Sequence, residues 1–126
     1  MRYLVKRDGL ENKVSDCLFC KIASGDIPAD LVLETDSVLA FRDIDPKAPT
    51  HVLVIPRKHF DNVAELANSD SGLTAQVLQA AVDVATLEGL AEGYRIVTNS
   101  GSDGGQSVNH VHFHVLGGRS LNWPPG

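Results

Sequence analysis

The stretch His110-Val111-His112-Phe113-His114-Val115-Leu116 decides how the rest of this 126-residue chain is interpreted. Its histidines alternate with apolar residues, a pattern typical of a β-strand whose two faces differ. We therefore predict that the imidazoles form a row on one face, about 6–7 Å from one to the next. The apolar side chains would then be buried on the other face and hold the strand rigidly.

Three histidines in strict alternation point to chemistry more than to packing. A lone histidine on an apolar strand is usually a buried core residue, but that explanation does not account well for a regular row of three. Near pH 7 an imidazole can serve as a nucleophile, a general base, a donor to phosphate or a metal ligand. The pattern therefore predicts a functional site on this strand.

The composition limits the classes of partner. The chain is 43% apolar and 21% charged, as expected of an ordinary soluble domain, and no run of about eighteen apolar residues predicts a membrane span. The formal charge of −5 argues against duplex DNA as a partner, because neutralising phosphates needs a basic face. A small phosphorylated ligand in a pocket stays compatible. The N-terminal residues lack the apolar core of a signal peptide, so we expect a cytoplasmic protein.

The pattern along the chain predicts an N-terminal arm over residues 1–16 and one domain over residues 17–126. We expect an α+β fold with a mainly antiparallel sheet of four or five strands, one long helix and one short helix. The expected elements are a short helix over Leu18–Ala23, a hairpin of Leu31–Glu34 and Val38–Arg42, strands over Thr50–Ile55 and Tyr94–Thr98, and a long helix over Leu73–Leu90.

Strand parity groups further side chains with the imidazoles. If His51 and Leu53 face the site, the valines beside them face the packing side. Phe41 and Asp43 share a face in the same way on the preceding strand. The Asp43 carboxylate could bind the two hydroxyls of a ribose, as acids do in other nucleotide sites. A carboxylate at this position could equally cap the loop that follows.

A glycine-rich loop, Asn99–Ser107, precedes the histidine strand. Its glycines could let main-chain N–H groups converge on an anion, and the loop ends at Ser107, a few residues before the imidazoles. No Gly-Lys-Ser/Thr follows, so it is not a P-loop. Two interpretations stay open: oxyanion donors beside a nucleophile, or a connection that needs glycine only for its turn.

Cys17 and Cys20 have the Cys-x-x-Cys spacing of a metal half-site or a redox pair. Tetrahedral zinc would need two further ligands, and His59 and His110 are available. The alternative is two free thiols packed near the arm.

Together these motifs resemble the histidine triad family, whose motif is His-X-His-X-His-X-X with X apolar. The surrounding sequence resembles its Hint branch, the histidine triad nucleotide-binding proteins. The resemblance covers roughly residues 17–126. Its most specific matches, besides the triad, are Ile27-Pro28-Ala29, Ala48-Pro49-Thr50-His51, Gly101-Ser102-Asp103-Gly104-Gly105-Gln106-Ser107 and Trp123-Pro124-Pro125-Gly126.

The resemblance implies a five-stranded sheet that continues into a partner's sheet in a homodimer. It also implies a purine nucleoside phosphoramidase of the adenosine 5′-monophosphoramidase type, which acts through a nucleotidyl-histidine and needs no metal at phosphorus. The leaving group stays open between lysine, another amine and an acyl adenylate from an aminoacyl-tRNA synthetase. So does the choice between AMP and GMP. The alternatives are a purine-nucleotide-binding regulator without catalysis and a metal-handling module.

Residue roles carry over by motif position. The resemblance implies that His112 is the nucleophile, that His114 binds a phosphate oxygen, and that His51 and His110 support these imidazoles. Ser107 and the Gly105 main chain would contact the phosphate and the leaving group, with Asn99 nearby. Asp43 would hold the ribose, and the tail with Trp123 would reach toward the partner's site. The implied base pocket consists of Leu18, Phe19, Ile22, Phe41, Ile44 and Leu53.

Some bacterial relatives carry the cysteine pair with bound zinc. The ligands there correspond to Cys17, Cys20, His59 and His110. The resemblance thus implies structural zinc, with His110 acting as a ligand and His51 left to assist catalysis.

Overall fold

A computed structural model describes residues 16–126, so the predicted arm lies almost entirely outside the described residues. Five strands form one sheet in the order β1-β2-β3-β5-β4, and every neighbouring pair is antiparallel. The predicted α+β fold is confirmed. The strands are β1 (Leu31–Glu34), β2 (Val38–Arg42), β3 (Thr50–Pro56), β4 (Tyr94–Val97) and β5 (Phe113–Gly117), and the helices are α1 (Leu18–Ser24), α2 (Val63–Ser69) and α3 (Ser71–Leu87).

The central strand β3 is buried along its whole length, and its two faces belong to different clusters. Val52 and Val54 pack with α3 in the main core, as strand parity predicts. Leu53 and Ile55 pack on the opposite face with Phe19 of α1. One face of the sheet thus carries the core, and the other carries a smaller apolar layer beside the histidines.

Helix caps explain where the helices begin. The described residues contain one helix more than the sequence pattern predicts. The sequence pattern predicts one long helix over Leu73–Leu90, whereas the structure has α3 from Ser71 to Leu87 and a separate α2 before it. The Asn62 side chain accepts from the N–H of Glu65, and the Asp70 side chain accepts from the N–H of Leu73. The Asp70 cap begins α3 directly after α2 ends, and α2 lies outside every predicted element.

The histidine strand is shorter than predicted, because β5 begins only at Phe113. The preceding residues bond elsewhere. The Val111 N–H donates to the Phe60 carbonyl at 2.7 Å, and the Thr98 hydroxyl donates to the His112 carbonyl at 2.9 Å. The alternation of faces still holds through this segment, since the apolar residues between the histidines are all buried in the main core.

Candidate functional site

The imidazoles form a closer row than an ideal strand predicts. The ring centroids of His112 and His114 are 5.1 Å apart, and those of His114 and His51 are also 5.1 Å apart. His110 and His112 are buried together with His51. β3 supplies His51 because it pairs with β5 in a register that sets Leu53 opposite His114. Strand pairing therefore brings the predicted imidazoles into one cluster.

The main chain fixes the tautomer of His112. Its Nδ1 lies 2.9 Å from the His110 carbonyl oxygen, and a carbonyl oxygen can only accept a hydrogen bond. Nδ1 of His112 therefore carries the proton, so the neutral ring keeps its lone pair on Nε2. Burial lowers the pKa of His112, against the hydrogen bond to His110 that raises it. The neutral nucleophilic form is therefore favoured near pH 7.

A second main-chain group fixes His51 and, through it, His114. The Lys47 N–H donates to Nδ1 of His51 at 3.0 Å, so neutral His51 carries its proton on Nε2. That Nε2–H donates to Nδ1 of His114 at 2.8 Å. The proton of neutral His114 is then on its own Nε2, which is buried without a hydrogen-bond partner among residues 16–126. We call this hydrogen-bond chain from Lys47 through His51 to His114 the relay. It ends in a buried donor that needs an acceptor, such as a phosphoryl oxygen.

Burial keeps this relay neutral. It lowers the pKa of His114 to about 4, with a further decrease from the neighbouring His112 and His51. Burial also lowers the pKa of His51, although the nearby Asp43 carboxylate opposes the decrease. Both decreases in pKa favour uncharged imidazoles at neutral pH, as the hydrogen-bond chain requires.

An aromatic layer lies against the imidazoles. The Phe19 ring is 5.1 Å from the His112 ring and 5.5 Å from the Phe41 ring, edge to face in both cases. Phe19, Phe41 and Leu53 are buried in one cluster, and Ile22 packs against it. Four predicted base-pocket residues therefore lie together. The other two, Leu18 and Ile44, are exposed.

Asp43 is half-buried at the end of β2 and is already partly engaged. Its Oδ1 accepts from the Asp45 N–H at 2.8 Å, as a loop-capping carboxylate does. Its Oδ2 lies 3.4 Å from Nε2 of His51. Both interpretations of Asp43 therefore keep support: it caps the loop, and it places one oxygen beside the histidines.

The glycine-rich loop is closed on itself by its own N–H groups. The N–H of Gly105 donates to Ser102 O, that of Gln106 donates to Gly101 O, and that of Gly101 donates to the Gln106 side chain. These three groups therefore do not converge on an anion, contrary to that interpretation of the loop. Gly105 has φ +82°, a conformation that favours glycine. Ser107 is exposed and Asn99 is half-buried.

Cys17, Cys20, His59 and His110 form a compact cluster whose ligand atoms all lie within 4.8 Å of one another. Nδ1 of His110 is 3.3 Å from Cys17 Sγ and 3.4 Å from Cys20 Sγ, and Nδ1 of His59 is 3.3 Å from Cys20 Sγ. Tetrahedral zinc would set sulfur and nitrogen ligands about 3.6 Å apart. The four side chains therefore fit a tetrahedral metal ion after small shifts.

The surroundings of this cluster also suit a metal. Nε2 of His110 donates to the Pro56 carbonyl at 2.9 Å, and Nε2 of His59 donates to an Asp61 carboxylate oxygen at 2.8 Å. Both Nδ1 atoms then direct lone pairs at the sulfurs, which is the usual arrangement around metal-bound histidine. The side-chain hydrogen bond with Cys20 lowers the pKa of the Cys17 thiol, against desolvation. A lowered pKa favours the thiolate, which is the form of cysteine that binds a metal ion.

Asp43, His51 and His114 also lie within metal-ligand distance of one another, but their hydrogen bonds oppose a metal. The Lys47 N–H occupies Nδ1 of His51, so Nε2 must carry the ring proton and has no lone pair to give. The distance of 2.8 Å between the two imidazole nitrogens is that of a hydrogen bond. Tetrahedral zinc would hold two nitrogen ligands about 3.3 Å apart. The second group is therefore a proton relay.

Comparison with known proteins agrees with this geometry. The sequence profile of the HIT domain family matches residues 24–121. The chain belongs to the HIT domain family. An uncharacterised HIT-like protein from Synechococcus elongatus is 50% identical over 111 residues, which are 88% of this chain and 97% of that protein.

Solved HIT structures have the same fold. A HIT family hydrolase from Legionella pneumophila superposes with a TM-score of 0.85 at 54% identity, covering 88% of this chain and all of that one (100%). A histidine triad nucleotide-binding protein from Candida albicans has a TM-score of 0.75 at 31% identity, covering 86% of this chain and 83% of that one. These neighbours confirm the predicted family and support a hydrolase role.

Sequence reasoning missed several residues around the HIT site. Asp61 could have been found, since a carboxylate two residues after His59 can reach the ring. The Lys47 N–H and the carbonyls of Pro56 and His110 are main-chain groups, which carry no sequence signal. Trp123 is 81% exposed and belongs to neither buried cluster, so its predicted role stays a prediction. None of the helices in the described range is long and apolar enough to cross a membrane.

Proposed function

We propose that this HIT protein is a purine nucleoside phosphoramidase of the Hint branch. It would hydrolyse AMP or GMP phosphoramidates and related nucleotidyl adducts, including adenylates made by aminoacyl-tRNA synthetases. One observation carries the proposal: His112 Nε2 keeps a lone pair, and the neighbouring His114 presents a buried Nε2–H with no acceptor in the described residues. A nucleophile beside a donor for a phosphoryl oxygen is what nucleotidyl transfer needs.

The chemistry follows from these tautomers. Nε2 of His112 forms a bond to the α-phosphorus, the P–N bond to the amine breaks, and the amine nitrogen takes the electron pair and a proton. Ser107 or a neighbouring imidazole would relay that proton from solvent. Water then adds to phosphorus and gives a proton back to the same group, the P–N bond to His112 breaks, and the nucleoside monophosphate leaves. The His110 carbonyl stabilises the positive charge that the His112 ring gains in the intermediate.

The apolar layer would hold the base, and the adjacent carboxylate would hold the sugar. Phe19, Phe41 and Leu53 offer flat apolar surface beside the His112 ring. The exposed Ile44 and Leu18 would close over the base from outside. Asp43 would accept from the ribose hydroxyls through the carboxylate edge near His51. The Gly105 carbonyl could accept from the leaving amine, since its N–H already bonds within the loop.

Zinc is the metal that we propose for the Cys17, Cys20, His59 and His110 cluster, because two sulfurs and two imidazoles are its usual structural ligand set. When bound, zinc would supply a structural crosslink and no part of the reaction. His110 would take part twice: its side chain as a ligand, and its carbonyl as the acceptor that orients His112. A reducing cytoplasm would keep both thiols available.

A homodimer is the assembly that we propose. β1 and β4 are the two edges of the sheet, and exposed edges of a small sheet are usually covered. A cavity of about 620 Å³ adjoins β4 and is lined by residues 89–90, 92–95 and 118–121, none of which is a histidine. Light scattering at micromolar concentration should give twice the chain mass, and a monomer would contradict the proposal.

Deleting Asn122–Gly126 should then alter substrate preference more than it alters folding.

Turnover of a small panel of phosphoramidates tests the function directly. AMP and GMP joined to several amines should release the free amine and the monophosphate. A regulator without catalysis would bind the nucleotides and leave the P–N bond unbroken. A metal-handling module would bind metal but show no preference among nucleotides.

The pH dependence gives a second test, because the relay must stay neutral. The pKa of His114 is lowered to about 4, and the pKa values of His51 and His112 are lowered as well, so the acid limb of kcat/KM should be centred below pH 6.5. An ordinary imidazole would give half the loss near pH 6.5. The free energy of unfolding should also decrease as the pH falls from about 6.5 to about 4. The reason is that the unfolded chain takes up this proton near pH 6.5 and the folded chain only near 4. An acid limb centred at 6.5 or above would contradict this assignment.

A further inference from the structure

We propose that Gln106 is the positioning residue of the glycine-rich loop and that it ties this loop to the metal cluster. The proposal deepens the proposed function, which places Gly105 and Ser107, on either side of Gln106, at the phosphate and the leaving amine. It depends on contacts that the reaction itself does not use.

The side-chain amide of Gln106 is fully engaged, although the loop around it is exposed. Its Oε1 accepts from the Gly101 N–H at 2.9 Å. Its Nε2 donates to the Asp61 carbonyl at 2.6 Å and to the Val108 carbonyl at 2.9 Å. One half-buried side chain thus joins the start of the loop, the end of the loop and the segment after β3.

The segment that Gln106 holds is the one that carries a metal ligand. Asp61 accepts from Nε2 of His59 through its carboxylate and from Gln106 through its main-chain carbonyl. Ordering His59 in the cluster therefore orders the peptide to which the loop is fastened. Asp61 thus orients the metal ligand His59 and also anchors the loop that we propose to contact the phosphate. The metal cluster and the loop are therefore coupled mechanically.

Two substitutions at this position remove these bonds to different extents. Methionine has a similar length but neither donor nor oxygen acceptor. Glutamate keeps an oxygen that can accept from Gly101 but would set a carboxylate against two carbonyl oxygens. Comparing the two substitutions separates the accepted bond from the two donated ones. Gln79→Met is the matched control, because Gln79 is exposed on α3 and bonds only to Asp83 among the contacts described.

The first measurement is hydrogen exchange of the hydrogen-bonded amides of residues 101, 105 and 106 in the metal-loaded protein without nucleotide. We expect Gln106→Met to speed exchange of these amides at least about tenfold, and Gln106→Glu to protect Gly101 alone. Turnover of an adenosine phosphoramidate should show kcat lowered by about 10- to 100-fold, the scale of a small misplacement of reacting groups. KM should stay within about twofold and metal content unchanged, because the base layer and the cluster are untouched. Gln79→Met should match the unsubstituted protein in every readout.

Removing the metal tests the connection. Chelation should speed loop exchange in the unsubstituted protein but add little in Gln106→Met, where the connection is already cut. Unchanged loop exchange and kcat in both Gln106 variants would overturn the positioning role. An equal chelation effect with and without Gln106 would overturn the link to the cluster. If neither variant folds, loop exchange that chelation leaves unchanged in the unsubstituted protein would overturn the link as well. If that protein binds AMP but never turns over, the proposed function fails while loop exchange still decides this inference.

Discussion

Replacing His112 with asparagine should lower turnover of an adenosine phosphoramidate by about a thousandfold or more, the scale expected when a nucleophile is removed. Asparagine retains an N–H that can donate to the His110 carbonyl, so the buried hydrogen bond survives while the nucleophilic nitrogen is lost. Alanine loses both groups, and the difference in stability between the two variants combines that bond with the packing of the asparagine side chain. Steady-state kinetics, the melting temperature and AMP affinity together check the prediction.

The covalent route has two further signatures. A nucleotidyl adduct trapped by acid quenching should map to His112 and be absent from the asparagine variant. A substrate with a chiral phosphorus should react with net retention, because two successive in-line displacements each invert the centre. Net inversion would exclude the covalent intermediate, even if His112 proved essential. An active asparagine variant would exclude His112 as the nucleophile.

The parts of the fold set by simple patterns could be predicted. The hairpin strands Leu31–Glu34 and Val38–Arg42 match the structure at both ends, because alternation and the polar turn between them are local properties. The faces of β3 also follow from parity alone. Helix α2 is missing from the prediction, because its seven residues span only about two turns and show no clear helical period.

In the candidate site, too, some features could be predicted from the sequence and others could not. The sequence supplies the imidazoles and the four metal-cluster side chains, and the structure brings each set together. It does not supply the tautomers, which depend on the Lys47 N–H and the His110 carbonyl. It also suggests an anion-binding role for loop N–H groups, whereas those of Gly101, Gly105 and Gln106 bond within the loop. Side-chain identity predicts which groups are present, whereas main-chain direction decides what each of them can do.

Substituting Cys17 with serine should lower the melting temperature by about 10 °C or more in protein that holds its metal. The cluster connects α1 to residues 59 and 110, far along the chain, and crosslinks closing loops of this length stabilise by about 3–5 kcal/mol. A domain of this size shifts by several degrees for each kcal/mol. Serine suits this substitution because Cys17 is the N-cap of α1, and serine is a good N-cap.

Metal analysis and chelation separate a metal crosslink from packing. The purified protein should hold about one zinc per chain, as expected of a closed four-ligand site, and the Cys17→Ser variant much less. A chelator should lower the melting temperature of the unsubstituted protein and leave that of the variant unchanged. Adding Cys20→Ser to the variant should cost little more, because the site is already open, and turnover through His112 should persist at temperatures where the fold survives. Protein prepared without chelator that holds no metal, with both thiols reacting freely, would leave the cysteines as packing residues.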